Sequence, residues 1–243
     1  MIITNAIILA AGLGMRLNPL TKNTPKCLIN INGIPIIERC VSALMEYGIQ
    51  NTVVVLGFQS KMIKEFLEKR FDGSGFTYIE NPEYISTNNI VSLWLAREYL
   101  KEGAFIVESD VIFEENAFQK LADGGIKSLW MVDKFTRGMD GCLLTADKGD
   151  RIISIRIVRE ELGEYTDRMY KSVGLLKLNR EDGRLLSGFL DKEIQDDNRQ
   201  IYYDLVFSKY LPSFDISICN IEGHKWAEID NIQDLHHAVK LFS

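Results

Sequence analysis

Short apolar runs alternate with longer amphipathic segments over the first half of the chain, a pattern typical of strands separated by helices. The first run, Asn5 to Ala10, is short enough for a buried strand. The other predicted strands are Thr52 to Leu56, Phe76 to Ile79 and Ala104 to Val107, and the predicted helices are Pro35 to Tyr47, Lys61 to Phe71, Asn88 to Leu100 and Asn116 to Ala122. This alternation predicts an α/β fold with a Rossmann-like, mostly parallel sheet and helices on both faces.

The pattern changes after Ser128, where extended segments follow one another without long helices between them. These segments are Leu129 to Val132, Cys142 to Thr145, Arg151 to Val158 and Ser172 to Leu178. After them we predict helices at about Asp182 to Glu193 and Gln200 to Lys209, a strand from Asp215 to Ile221 and a final helix from Ile232 to Leu241. The second half is therefore expected to add a small mixed-sheet subdomain to the parallel sheet.

Length and composition favour one domain. The chain has 243 residues, of which 46% are hydrophobic, and this is ample for a continuous core. No Pro/Gly/Ser-rich linker, low-complexity tract or repeat divides it. We predict a single domain over residues 1–243, with a first part of about residues 1–127 and a second part of about residues 128–243.

The net charge and the cysteine positions limit which partners the protein can bind and where in the cell it is expected. The net charge of -6 argues against a general surface for nucleic acid or anionic membranes, so any anion must be bound locally. The first residues lack the positive region of a secretion signal, and no stretch approaches the length of a membrane span. The four cysteines are far apart and form neither a metal pair nor a disulfide framework. These features predict a cytoplasmic protein with reduced thiols that binds neither nucleic acid nor membrane.

A Gly-Leu-Gly turn at residues 12–14 follows the first predicted strand. The backbone N–H groups of such a turn can approach a ligand with no side chain between, an arrangement suited to phosphate. Arg16 and Lys26 add two fixed positive charges, which suit a triphosphate better than a neutral ligand. A dinucleotide fingerprint would need a third glycine where Leu17 stands, and a Walker loop would need Gly-Lys-Ser/Thr. The alternative is an ordinary glycine turn, which Arg16 and the Pro-Lys pair disfavour.

Two aspartates follow short extended runs. Asp110 comes after the strand Ala104 to Val107, at the same sheet edge as the glycine turn if these strands are parallel, and could reach a metal bound to a triphosphate. Asp230 ends the run Trp226 to Asp230. A turn or helix cap is the alternative role of each aspartate, and for Asp230 both roles can coexist. No histidine or cysteine joins the group, which argues against zinc or a thiol nucleophile.

The glycine turn with Arg16, Pro25 and Lys26 resembles the signature of the nucleotidyltransferase family, which activates sugar phosphates and alcohol phosphates with nucleoside triphosphates. The resemblance implies that Asp110 and Asp230 hold Mg²⁺ and that Arg16 and Lys26 are catalytic. The nucleotide-binding residues that it implies are Leu9, Ala10, Ala11, Gly12, Gly14, Asn81, Asn88 and Ser109. Asn88 could read the edge of a cytosine, and capping the following helix is its alternative role.

Later segments bear on the acceptor. The chain lacks the Glu-Lys-Pro motif of the sugar-phosphate members. Six segments instead resemble bacterial enzymes that transfer CMP to phosphocholine or 2-aminoethylphosphonate, and the resemblance runs nearly end to end. These segments are Asn81 to Tyr84, Thr87 to Trp94, Met139 to Cys142, Tyr170 to Val173, Tyr202 to Asp204 and Trp226 to Asp230. The implied partners are CTP and a small phosphonate or phosphate-ester acceptor, and a homodimer is left open.

The resemblance also implies an acceptor site in the second half, and four residues are its candidates: Asp140, Lys171, Asp204 and Glu228. The three acids could pair with an acceptor ammonium, since an unpaired buried charge is costly. Lys171 either contacts the acceptor phosphonate or is a solvated strand lysine. Cation–π faces could come from Trp130, Tyr202 or Trp226, and a place in the core is the alternative for each ring.

The implied reaction is a magnesium-dependent transfer of CMP from CTP with release of pyrophosphate. The acceptor has a second pKa of about 6, so near neutral pH it is largely ionised and requires no general base. Because the second half offers acids and only scattered aromatics, 2-aminoethylphosphonate is favoured over phosphocholine. The alternatives are a sugar-1-phosphate nucleotidyltransferase that uses UTP or dTTP, and a non-catalytic nucleotide-binding regulatory subunit. The latter would have no need of Arg16, Lys26, Asp110 and Asp230 together.

Overall fold

A computed structural model describes residues 3–73 and 75–243, so Met1 and Ile2 of the N-terminal segment lie outside the described residues. The strands are β1 (Asn5–Ala10), β2 (Asn30–Ile31), β3 (Ile34–Pro35), β4 (Asn51–Leu56), β5 (Phe76–Glu80), β6 (Ala104–Glu108), β7 (Val111–Phe113), β8 (Ser128–Lys134), β9 (Gly141–Ala146), β10 (Ile152–Val158), β11 (Met169–Leu178), β12 (Ile216–Asn220) and β13 (Trp226–Glu228). The α-helices are α1 (Ile36–Tyr47), α2 (Ser60–Arg70), α3 (Asn89–Leu95), α4 (Glu115–Ala122), α5 (Arg180–Gln195), α6 (Tyr203–Lys209) and α7 (Ile232–Leu241).

One nine-stranded sheet organises the molecule. Seven strands follow the order β10-β9-β11-β6-β1-β4-β5, and β8 pairs with β11 and β12. Strand β1 is central and runs parallel to β6 and to β4, with Leu9 beside both Glu108 and Val55. The segments that follow β1 and β6 therefore meet at one edge of the sheet, where ligands bind in folds of this kind.

The strands of the second half continue this sheet. Strand β11 pairs antiparallel with β6, β8 and β9, and its register shifts between Ser172 and Leu176. Gly174 lies within the shift and has a φ of 77°, a conformation that favours glycine. The predicted fold class, an α/β sheet flanked by helices with a mixed part in the second half, is confirmed. The division of the chain into two parts stays a prediction.

Helices cover both faces of the sheet. Ile7 packs into the core on one face and Ile8 into the core on the other, as the alternation of side chains along a strand requires. The first core includes side chains from α3, α5 and α6, and the second includes side chains from α1, α2 and α4. None of the helices within the described residues is long and apolar enough to cross a membrane.

Some element bounds differ from the prediction. The helix predicted from Asn88 to Leu100 is α3 followed by a 3-10 helix at Arg97–Glu102. The helix predicted from Gln200 begins at Tyr203, because the preceding backbone carbonyls bind another segment: Asn88 donates its backbone N–H to Arg199 and its side-chain amide to Gln200. The β2–β3 hairpin and β7 were not predicted, since runs of two or three residues carry no readable periodicity.

Candidate active site

A cavity of about 530 Å³ lies at the sheet edge where the glycine turn and Asp110 meet. Every residue predicted for the catalytic, nucleotide, metal and carboxylate or lysine acceptor roles lines this cavity, together with Cys142, Glu108, Arg159 and Gly174, which the sequence analysis did not assign to the site. The structure therefore brings these residues together, although the two halves of the chain supply them. What each residue binds stays a prediction.

The glycine turn is held in a fixed shape beside the cavity. The hydroxyl of the buried Thr21 donates a hydrogen bond of 2.8 Å to the carbonyl of Gly14, whose φ is 61°. A Cβ on Gly57 would lie 2.6 Å from the carbonyl oxygen of Ala11, so only glycine allows this approach, a requirement that the sequence analysis missed. A Cβ on Gly12 would meet no atom within 4 Å. The turn thus leaves open space in front of Gly12 for a ligand.

Lys26 lies at the centre of the charged groups. Its Nζ is 2.8 Å from Oδ2 of Asp110 and 2.7 Å from Oδ1 of Asp230. Arg16 pairs with the other oxygen of Asp230, with 2.8 Å between Nη2 and Oδ2. The two predicted cations and the two predicted aspartates therefore form one connected group.

Backbone pairing brings the two aspartates together. Strand β13 pairs antiparallel with β7, so that Glu228 lies opposite Val111, and the N–H of Ile229 donates to the carbonyl of Asp110 at 2.9 Å. The following helix, α7, is capped by Asn231 in a capping box with Asp234. Because Asn231 is the cap, the side chain of Asp230 is left for Lys26 and Arg16, and the alternative of an Asp230 helix cap is wrong.

Three carboxylates in this group could hold a metal ion. Single oxygen atoms of Asp110, Glu228 and Asp230 all lie within 4.8 Å of one another. Oδ1 of Asp110 is buried and, within the part of the chain described, has no hydrogen-bond partner. Carboxylate oxygens are the ligands that Mg²⁺ prefers, and an unpaired buried oxygen is costly unless a cation satisfies it. The residues therefore fit the magnesium site implied by the resemblance, with Glu228 beside the predicted pair.

The ion pairs determine the charges of these groups. Burial alone would lower the pKa of Lys26, but the two aspartates outweigh it and raise the pKa above its ordinary value. Burial would raise the pKa of Asp230, but Lys26, Arg16 and Lys171 outweigh it and lower the pKa. Lys26 and Asp230 are therefore both charged at neutral pH, without a metal.

The predicted acceptor residues have unequal surroundings. Lys171 is buried, with 10% of its side chain exposed, and its Nζ is 2.8 Å from Oε2 of Glu228. The alternative of a solvated strand lysine is therefore wrong. Asp140 is 65% exposed and lies 3.8 Å from Arg159. Asp204 is buried, and its carboxylate lies beside the thiol of Cys142.

Glu108, the last residue of β6, is a pocket residue that the sequence analysis missed. Its Oε1 accepts a hydrogen bond of 2.9 Å from the hydroxyl of Tyr203. Burial first, and then the nearby Asp204, Asp110 and Glu228, raise the pKa of this carboxyl well above its ordinary value. The available signal was an acid that ends an apolar strand two residues before Asp110.

Two of the three proposed cation–π faces are not available. Trp130 is fully buried, and its Nε1 donates to Oγ of Ser172 at 2.8 Å. Trp226 is not part of the cavity wall, and its Nε1 donates to Asp133 at 2.7 Å. For both rings the alternative role is confirmed: Trp130 lies in the first core, and the partly buried Trp226 packs against the second. Tyr202 does line the cavity, and its ring face is already covered by the guanidinium of Arg159 at 5.4 Å from the ring centroid.

The two asparagines predicted to bind the nucleotide are held by the protein. The Asn81 amide donates to Ser92 at 3.1 Å and accepts from the N–H of Glu83 at 2.9 Å. Asn88 caps α3 by accepting from the N–H of Asn89 at 2.8 Å. Both side chains border the cavity, and the alternative role of Asn88 as a helix cap is confirmed.

Comparisons with known proteins agree with this geometry. The family model described as nucleotidyl transferase matches residues 5–128. A 2-aminoethylphosphonate cytidylyltransferase of Lancefieldella rimae is 34% identical over 96% of this chain and 90% of its own length. A choline-phosphate cytidylyltransferase of Haemophilus influenzae is 26% identical over 97% of this chain and 96% of its own. The solved CTP:phosphocholine cytidylyltransferase of Streptococcus pneumoniae superposes with a TM-score of 0.85 at 25% identity, covering 98% of this chain and 99% of that one.

Proposed function

The chain belongs to the nucleotidyltransferase family, and within that family we propose that it is a magnesium-dependent cytidylyltransferase. Its substrates would be CTP and a small amine-bearing phosphonate or phosphate monoester, and its second product would be pyrophosphate. Two similar proteins are named for 2-aminoethylphosphonate and for choline phosphate, which supports an acceptor of this class. We further propose a cytoplasmic location, while a homodimer stays a prediction.

One observation carries the proposal: a single cavity joins the phosphate-type glycine turn to the charged group around Lys26 and to buried polar residues of the second half. A transfer between two phosphorylated molecules requires both to lie in one enclosed space with their reacting atoms aligned. A regulatory subunit would need the nucleotide half alone. The charged residues between the two halves favour an enzyme.

The carboxylates are the groups that would hold a metal ion. Asp110 and Asp230 would hold Mg²⁺, with Glu228 beside them, and the unpaired Oδ1 of Asp110 supports this assignment. Mg²⁺ bound there would neutralise phosphate charge and polarise the phosphorus–oxygen bonds.

The cations of the turn act on the nucleotide. Arg16 is mostly exposed at the mouth of the cavity, where its guanidinium can bind phosphate in two hydrogen bonds. Lys26 is a charged ammonium fixed beside both aspartates, so it can stabilise the charge that builds on the leaving pyrophosphate. The acceptor oxygen is already ionised near neutral pH and attacks the α-phosphorus in line with the leaving group.

The acceptor phosphonate would lie near Lys171, a buried cation of the second half that lines the cavity. An amine at its other end would then fall among carboxylates rather than free aromatic faces, since Trp130 and Trp226 do not line the cavity and Arg159 covers the ring of Tyr202. A primary ammonium can donate hydrogen bonds to carboxylates, whereas a quaternary ammonium cannot. We therefore propose 2-aminoethylphosphonate as a better acceptor than phosphocholine.

A panel of pyrophosphate-release assays tests the proposal. The purified protein is assayed with CTP, UTP and dTTP, each with 2-aminoethylphosphonate, phosphocholine or a hexose 1-phosphate. Release only with CTP and an amine-bearing acceptor is expected. Release only with UTP or dTTP and the hexose phosphate would favour the sugar-phosphate alternative, and no release with any pair would favour the regulatory one.

A further inference from the structure

Glu108 presents a carboxylate oxygen to the cavity. Tyr203 occupies Oε1 through its hydroxyl hydrogen bond, and Oε2 has no hydrogen-bond partner among the described residues. The residue ends β6 next to Leu9, so it lies between the end of the nucleotide-binding strand and the second half. Its position is fixed by the sheet and by Tyr203, whose ring is fully buried.

Glycine at position 174 creates the space in which this carboxylate lies. A Cβ there would be 2.9 Å from Oε2 of Glu108 and 3.1 Å from its Cβ. The φ of 77° at Gly174 also excludes most side chains. The bend in β11 thus leaves the carboxylate uncovered on the side that lines the cavity.

The acidic residues of the cavity differ in whether a protein cation already serves them. Asp230 pairs with Lys26 and Arg16, Glu228 with Lys171, and Asp140 with Arg159. Within residues 3–73 and 75–243, neither Glu108 nor Asp204 takes part in any ion pair, and Asp204 is only 5% exposed.

Asp204 is buried and Glu108 is partly buried, and carboxylates withdrawn from water without a cation are costly unless a ligand supplies one. The acids that already pair with a protein cation gain less from a cationic ligand than Glu108 and Asp204 do. Glu108 ends β6, which pairs with β11, the strand that carries Lys171, and Glu108, Asp204 and Lys171 all line the cavity. An acceptor with a phosphonate near Lys171 would therefore bring its amine toward this pair.

We propose that Glu108, together with Asp204, binds the ammonium group of the acceptor and thereby selects amine-bearing acceptors over neutral ones. This inference rests on the proposed function. It adds Glu108 as the residue that determines specificity and removes Asp140, whose charge is exposed and shared with Arg159.

The test compares two acceptors that differ only in the amine. The kcat/KM values of the wild-type protein and of Glu108→Gln are measured for 2-aminoethylphosphonate and for ethylphosphonate, at fixed CTP and Mg²⁺. Glutamine keeps the shape and can still accept from Tyr203, but it lacks the charge. We expect at least a tenfold loss of kcat/KM for 2-aminoethylphosphonate, mainly through KM, and less than a twofold change for ethylphosphonate.

Two further variants complete the design. Glu114→Gln changes the same side-chain type six residues along the chain, outside the cavity, and should leave both acceptors unaffected. Glu108→Asp keeps the charge and should retain most of the preference for the amine. Turnover of ethylphosphonate also reports whether each variant is folded.

The outcomes separate this inference from the proposed function. An equal loss for both acceptors in Glu108→Gln, or an unchanged preference for the amine, would overturn the role of Glu108 while leaving the cytidylyltransferase intact. Failure of the wild-type protein to use any amine-bearing acceptor would contradict the proposed function, and the role of Glu108 would fall with it.

Discussion

Lys26 and Asp110 are 84 positions apart in the sequence, yet Nζ of the lysine lies 2.8 Å from Oδ2 of the aspartate. The same ammonium also binds Asp230 at 2.7 Å. The loop that follows β1 is thus joined directly to the carboxylates that fit a metal ion. In the metal-free protein Lys26 itself supplies the positive charge, and a bound cation would have to share the two carboxylates with it.

The carboxylates should be required for turnover rather than for folding. We expect Asp110→Asn and Asp230→Asn each to lower kcat by at least tenfold, because under the proposed function both would hold the Mg²⁺ that neutralises phosphate charge. Circular dichroism should show a folded protein in each case. Steady-state assays at limiting Mg²⁺ make the comparison, and wild-type rates in either variant would show that the metal assignment is wrong.

Lys26→Ala should weaken catalysis through lost charge stabilisation. We expect an increase in the activation free energy of about 2 to 4 kcal/mol, the size seen when an oxyanion donor is lost. Lys22→Ala is the matched control, because Lys22 is exposed in the same loop and does not line the cavity. The measurement is kcat/KM for CTP, and an unchanged value in Lys26→Ala would reduce Lys26 to a structural residue of the loop.

The same variant should change how the protein responds to Mg²⁺. Without the ammonium of Lys26 between them, Asp110 and Asp230 repel each other. A bound divalent cation would therefore stabilise the variant more than it stabilises the wild-type protein. Thermal unfolding with and without Mg²⁺ should show a larger rise in Tm for Lys26→Ala than for the wild-type protein. An equal or smaller rise would argue against a metal at these carboxylates.

Asp230 should contribute to the acid sensitivity of the metal-free protein. Its pKa is lowered in the folded state, so its stabilising contribution is complete above the unfolded value of about 3.9 and is lost as the pH falls through the folded pKa. Urea unfolding with a chelator at a series of pH values measures this. Asp230→Asn should show a shallower loss of the free energy of unfolding below about pH 4, and parallel profiles would contradict the ion-pair account.

Two glycines of α5 offer a test of the packing. A Cβ on Gly183 would lie 2.0 Å from the carbonyl oxygen of Leu100, so Gly183→Ala forces the helix away from its neighbour and should destabilise the protein by about 1 to 3 kcal/mol. Gly188 lies on the exposed side of the same helix, where an added Cβ would meet no atom within 4 Å. Gly188→Ala should stabilise by about 0.5 to 1 kcal/mol. Urea unfolding of both variants decides, and similar effects would contradict the packing.

Much of the fold was predictable because the strands are apolar and the helices between them are long. The bounds of β1 and α7 agree with the prediction, and those of most other elements differ by one to three residues. The short strands β7 and β13 carry little periodicity, yet their pairing decides where Asp230 lies. The site residues could be predicted from motifs. They lie in one cavity because the strands that carry them end at the same edge of the sheet.

The sequence could not reveal which side chains pair with one another. Nothing local distinguishes Glu228, which pairs with Lys171, from Asp204, which has no ion-pair partner among the described residues. Likewise, Trp130 and Tyr202 are both aromatic residues near suitable motifs, but only the fold decides that Trp130 is in the core. Burial and pairing depend on contacts between distant segments, and these determine the pKa of Glu108 and the accessibility of each ring.

The proposed transfer of CMP can be observed by ³¹P NMR of the reaction mixture. The wild-type protein is incubated with CTP, 2-aminoethylphosphonate and Mg²⁺. We expect the phosphonate signal to move to that of a phosphonate–phosphate anhydride, with pyrophosphate formed in equal amount and no reaction after addition of a chelator. Hydrolysis of CTP without formation of the anhydride would contradict the account. So would unchanged spectra with CTP if the same preparation transfers a different nucleotide.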